Sequence, residues 1–143
     1  MASDAYDDPA VEAAWLAEQR ARAGEYLRAQ RVPFGSVADR PAWHLAPYVA
    51  LWPALGQRTG QLQYWIIVGD LPADFLPGDA AADPRGAVTA FAARWQQVAR
   101  GMLEGQPHPT LQVGEGDQRA TLGDLLLRRA NLLAEIARED EHW

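Results

Sequence analysis

Two apolar, weakly charged segments stand close together in this chain and constrain its fold more than any other feature. Trp43 to Trp52 is rich in aromatic and aliphatic residues, and Gln61 to Val68 contains Tyr64-Trp65-Ile66-Ile67-Val68. Gly56-Gln57-Arg58-Thr59-Gly60 links them, which is hairpin-connection chemistry somewhat longer than the tightest turns. The pair is expected to form an antiparallel β-hairpin. Pro47 cannot donate to a ladder, so the first strand is expected at an edge or with a bulge. Both faces of the hairpin read as apolar, so it needs covering on both sides.

Helical patterns flank the hairpin. Asp8 caps the first and Pro9 suits its first turn, where no amide hydrogen is needed. Val11, Trp15, Leu16, Ala23, Tyr26 and Leu27 then recur at helical spacing to about Gln30, before the breaker Val32-Pro33-Phe34-Gly35. Residues 77–86, with Pro77, Gly78, Pro84 and Gly86, read as a surface connection. Val88, Phe91, Ala92, Trp95, Val98, Ala99 and Met102 form one continuous stripe of a second helix. After a loop-like stretch with a short strand pattern at Thr110–Val113, Thr121 and Asp124 open a third helix. Its apolar stripe is Leu122, Leu125, Leu126, Leu132, Leu133 and Ile136. The expected fold is α+β: an antiparallel β-hairpin, or a three-stranded sheet if Thr110–Val113 joins it, packed against three α-helices. One domain spanning 1–143 is expected, with 1–7 and 139–143 fraying.

Composition removes whole classes of chemistry. The 143 residues include no Cys, which excludes disulfides, thiolate catalysis and Cys-based metal sites. All 13 basic residues are Arg, so a P-loop lysine or a Schiff-base lysine is excluded too. The formal charge is -6, which makes nucleic acid a poor partner. Arg20, Arg22, Arg28 and Arg31 fall in the first helix, but Glu18 and Glu25 dilute them and a solvated helix face accounts for them. No apolar run approaches the roughly 20 residues of a membrane helix, and the acidic start lacks a signal-peptide pattern. No membrane association is therefore expected, and a cytoplasmic location is. Ser3 and Ser36 lie in no nucleophile elbow, and Gly114-Glu115-Gly116 lacks the third glycine of a dinucleotide fingerprint. His44, His108 and His142 show no metal-ligand spacing. Neither a cofactor nor a metal is expected.

The densest unusual residues are Pro41–Tyr48 and Gly69–Asp74, both at the hairpin's expected open end. There His44 could meet Asp70 or Asp74, the arrangement by which a carboxylate orients an imidazole base. Strand alternation would put His44, Tyr48 and Trp52 on one face, and Trp43 and Trp65 add aromatic walls. The bland readings are a packed core histidine, turn chemistry for the two Asp residues and core packing for the Trp residues. Arg85, just before a helix start, could hold an anion or serve a surface salt bridge.

Trp15 with Glu18-Gln19-Arg20, Pro41-Ala42-Trp43-His44 with Pro47 and Trp52, Trp65-Ile66-Ile67-Val68-Gly69-Asp70-Leu71-Pro72-Ala73-Asp74, Arg85 and Trp95 together carry a resemblance. Over roughly residues 10 to 105 the chain resembles a family of small uncharacterised bacterial proteins, the domain of unknown function numbered 4826. That family often has Cys after the first Trp and Thr before the last Asp. Leu16 and Ala73 stand there in this chain, so neither side chain is essential to a shared activity. The resemblance implies a bacterial, cytosolic, single-domain protein and supplies no mechanism. The function expected is a non-enzymatic binding or regulatory module acting on an unknown protein or small-molecule ligand through the aromatic patch. The alternative is a small hydrolase or isomerase with His44 as base, oriented by Asp70 or Asp74, and Arg85 stabilising an anion.

Overall fold

Asp8 sets the start of the first helix, as the sequence pattern predicts. Its side chain accepts a hydrogen bond from the Ala10 amide at 2.9 Å, with Pro9 in the first turn, and α1 runs Pro9–Ala29. In this computed structural model residues 2–104 and 117–143 are described, the side chains of 2–4 and 117–120 excepted. The end of α1 is closed by Arg31 in the left-handed region (φ 59°). The Val32 amide donates to Leu27 O and the Arg31 amide to Arg28 O, which satisfies two terminal carbonyls.

The strands are β1 (Ser36–Val37), β2 (Trp43–Leu45), β3 (Val49–Leu55), β4 (Leu62–Gly69) and β5 (Asp74–Pro77). They make a five-stranded antiparallel sheet in the order β1-β3-β4-β5, with β2 also pairing β3. The expected hairpin is present as β3–β4. The first apolar segment, however, is two strands rather than one. It doubles back at Ala46–Tyr48, a turn containing the cis Ala46–Pro47 bond, so that Trp43 pairs with Leu51 and His44 with Ala50. Pro47 thus sits in a turn rather than in a strand. Pro53 is the proline inside the ladder. Its carbonyl accepts from Ala38, on the side where β1 has ended and β2 has not begun, so the missing N–H leaves the β4 ladder intact. The sequence-expected strand at Thr110–Val113 lies outside the described residues.

Residues with even numbers in β3 and β4 face α1. Trp15, Ala23 and Leu27 pack with Val37, Ala50, Trp52, Ala54, Ile66 and Val68, and Tyr64 and Phe75 close the edge. Each fully buried large side chain here contributes about 1.5–3 kcal/mol. An exposed ion pair contributes about 0–1 kcal/mol, so apolar burial dominates the attachment of α1. On the other face Val49, Leu51 and Ile67 are buried as well.

The chain forms two compact units, Met1–Pro84 and Arg85–Trp143. In the second, α2 (Pro84–Leu103) buries the expected stripe from Val88 to Met102. Its neighbour α3 begins at Asp117 and runs to Arg138. Gly123 lets the two helices approach, since a Cβ there would stand 3.1 Å from Met102 Cβ and 3.3 Å from Ala99 O. The expected stripe of α3 holds two interleaved rows, and one of them faces inward. Leu126, Leu133 and Ile136 are buried, whereas Leu122, Leu125 and Leu132 are exposed. Among the described residues no helix is long and apolar enough to cross a membrane.

Candidate functional site

A polar seam follows α1 along the sheet. Gln19, four residues beyond Trp15 and four before Ala23, occupies a position of the apolar stripe and is 3% exposed. Its Oε1 accepts from Arg22 Nη1 at 2.9 Å, and the same nitrogen donates to Gly69 O at 3.2 Å. Arg20 binds the other flank of the sheet, Nε donating to Ala38 O at 2.9 Å and Nη2 to Val37 O at 2.7 Å. One turn from the helix start, Glu12 Oε1 lies 3.4 Å from His44 Nε2, and the His44 ring lies 6.5 Å from that of Trp15.

The doubled-back strand scatters the residues that the sequence suggests as a site. Ladder register places His44, Ala50 and Val68 in one row on the α1 face, with Trp52 on that face too. Trp43, Leu51, Ile67 and Asp74 form a row on the opposite face. Three strand steps of about 4.8 Å put His44 and Asp74 roughly 14 Å apart laterally, on opposite sides of the sheet. The carboxylate beside His44 is that of Glu12. Asp74 is 4% exposed and accepts from the Phe75 amide at 2.9 Å, which is turn chemistry. Asp70 follows β4, its amide donating to Tyr48 O at 2.9 Å. Two of the expected aromatic walls are core residues. Trp52 is buried, and Trp65 is buried with Nε1 donating to Gly78 O at 3.1 Å. Trp43 is half-buried, and Tyr48 is exposed at the tip of the β2–β3 turn.

Arg85 begins the second unit and works within it. Nε donates to Ala137 O at 2.7 Å, and Nη2 donates to Arg138 O at 3.1 Å and Asp140 Oδ1 at 2.8 Å. The guanidinium lies 5.9 Å from the Trp143 ring centroid. It closes the carbonyl end of α3 and ties down residues 139–143, where the sequence suggests fraying. Just beyond, Glu139, Glu141 and His142 bring one ligand-type atom each within 4.8 Å of one another. The Glu139 carboxyl is raised above the ordinary glutamate range, chiefly by its hydrogen bond with Glu141, then by desolvation and by the Glu141 charge. His142 opposes the shift.

One concave feature of the first unit is a groove of ≈ 570 Å³. Arg20, Ala21, Gly24 and Arg28 of α1 form one side, and residues 32–37 form the other. A neighbouring groove of ≈ 410 Å³, beyond Pro33 and Phe34, carries a single cation, Arg58. The sequence shows the arginines on α1 but not the wall facing them, because the left-handed turn at Arg31 is what folds 32–37 back alongside the helix.

No curated protein and no solved structure matches this chain significantly. A family model does, over residues 9–143, and this span includes the last helix, beyond the 10 to 105 that the sequence resemblance covers. The chain therefore belongs to the family described as domain of unknown function (DUF4826).

Proposed function

We propose that this protein is a non-enzymatic binding or regulatory module of the bacterial cytoplasm, and that its ligand seat is the groove between α1 and residues 32–37. The observation that carries the reading is the groove itself. Its ≈ 570 Å³ falls within the roughly 300–1,000 Å³ usual for small-molecule sites. It combines apolar wall residues with the two guanidinium groups of Arg20 and Arg28. The net charge of -6 argues against nucleic acid as the ligand. The rival reading, a hydrolase or isomerase with His44 oriented by Asp70 or Asp74, gains no support from the ion pair of His44, whose carboxylate is Glu12. A second contact point, suited to a protein partner, is Tyr48. It is 48% exposed and its backbone is held on both sides, by Leu45 O and by the Asp70 amide.

The test is a thermal-shift screen of small metabolites on the wild-type chain and on Ala21→Trp, which fills the groove from the exposed side of α1. A ligand bound only by the folded form raises the melting temperature. Hits that disappear in Ala21→Trp are expected. Hits that survive it place the ligand elsewhere and reject this seat.

A further inference from the structure

We infer that the groove takes a small two-part ligand: an oxyanion head, carboxylate or phosphate, read by Arg28 across Gly24, and an apolar body laid against Val32, Phe34 and Val37. The inference rests on the groove being the ligand seat.

Gly24 is the first sign. Glycine weakens a helix interior, and where it persists a close neighbour usually demands it. Gly123 meets that description, with Met102 and Ala99 against it. Gly24 does not. The three atoms nearest to a Cβ at Gly24 all belong to the Arg28 guanidinium, Nη1 at 3.3 Å, Nη2 at 3.5 Å and Cζ at 3.7 Å. The glycine leaves room for a planar cation lying flat on the helix rather than for packing.

Arg28 is the second sign. Near a helix end a cation is favoured beside the last carbonyls. Its side chain leans back one turn, the ordinary direction in a helix, so the guanidinium lies at the level of Gly24, where the groove runs. In a chain with 19 acidic and 13 basic residues, it has no carboxylate partner among the described residues. A guanidinium presents paired N–H donors that match the two oxygens of a carboxylate or phosphate.

Arg20 is the third. Its Nε is held by Ala38 O and its Nη2 by Val37 O, so the plane is set before any ligand arrives. Nη2 also pairs with Asp39 Oδ1 at 3.3 Å, a carboxylate that is 98% exposed and therefore weakly held. The Cα atoms of Arg20 and Arg28 stand eight residues apart, about 12 Å along the axis, and folding Arg28 back removes about one turn of that offset. Facing the two cations is an apolar strip, Val32 and Phe34 half-buried and Val37 buried. Charge on one side and hydrocarbon on the other select a ligand with both.

The experiment titrates the full chain with phenyl phosphate, phenylacetate, inorganic phosphate and neutral benzyl alcohol, followed by amide chemical shifts. Phenyl phosphate and phenylacetate are expected to shift residues 20–37 and to bind at least tenfold more tightly than benzyl alcohol. Comparing the two anions decides between phosphate and carboxylate heads. Arg28→Met should abolish the tenfold preference and keep the alcohol binding. Gly24→Ala should raise the melting temperature yet weaken both anions several-fold, a combination that simple destabilisation cannot give. Equal binding of alcohol and anions, or a preference that survives Arg28→Met, overturns the oxyanion head while the groove stands. Inorganic phosphate binding as tightly as phenyl phosphate overturns the two-part ligand. If no probe shifts residues 20–37, or the shifts persist in Ala21→Trp, the groove itself is rejected.

Discussion

His44 Nε2 and Glu12 Oε1 lie 3.4 Å apart, joining the short strand β2 to the first turns of α1. Their side chains are 30% and 41% exposed, so solvent screens the pair and its worth is at most about 1 kcal/mol. A double-mutant cycle of Glu12→Gln and His44→Gln in urea denaturation should return a coupling energy below about 1 kcal/mol. Trp15→Ala, which removes a large buried ring beside the same histidine, should cost about 3–5 kcal/mol. A coupling energy rivalling the tryptophan loss would contradict the view that apolar burial holds α1 in place.

Gly69 has a φ of 143°, and a Cβ there would overlap the carbonyl oxygen of Tyr48. Gly69→Ala is expected to lower stability by more than about 2 kcal/mol, because backbone strain and steric overlap add. Gly60 offers the control. Its φ is 64°, but nothing lies within 4 Å, so Gly60→Ala should cost only about 1–2 kcal/mol. Equal losses at the two positions would show that the approach to Tyr48 does not matter.

Arg85 holds the carbonyl end of α3 through two backbone hydrogen bonds and Asp140. Arg85→Met keeps most of the aliphatic stem and deletes the donors. Because the side chain is 39% exposed, the expected loss is modest, about 1 kcal/mol. The sharper readout is hydrogen exchange: amides from Glu139 to Trp143 should exchange faster while those of Phe91 to Val98 stay protected.

Glu139 carries the pH dependence that geometry supports. Its raised carboxyl pKa means that the folded chain holds this proton more tightly than the unfolded one. The ionised group therefore opposes folding in full above the raised folded pKa. That opposition falls as the pH drops through it, and is gone below the ordinary glutamate value. Glu141→Gln removes the neighbouring charge, and the Glu139 side-chain titration followed by NMR should move down. An unmoved titration would mean that Glu141 is not the cause.

The helices were legible because their information is local. Asp8 and Pro9 mark the start of α1, and the three-and-four spacing from Val88 to Met102 marks the buried face of α2. Hairpin β3–β4 was legible for the same reason, its two apolar runs being separated by a short glycine-bounded link. The folding back of Trp43–Leu45 onto Leu51 was not. An apolar run reads as one strand whether or not it reverses, and Pro47 signals an interruption without saying which way the chain goes. That single reversal put His44 on a separate strand beyond β3, two strands away from the one that leads into Asp70 rather than beside it. Glu12 was missed because 32 residues separate it from His44 and no periodicity links the two. On α3, spacing alone could not decide which of two leucine rows turns inward.

Both margins of the sheet are poor templates for another chain. One is divided into β1 of two residues and β2 of three, with Pro53 opposite the gap, and the other is β5, four residues ending in Pro77. A foreign strand needs an unbroken row of amides and carbonyls to dock, and neither border offers more than a few in succession. The strongly apolar β3 and β4, which would be an amyloid hazard at an edge, are shielded between these short guards.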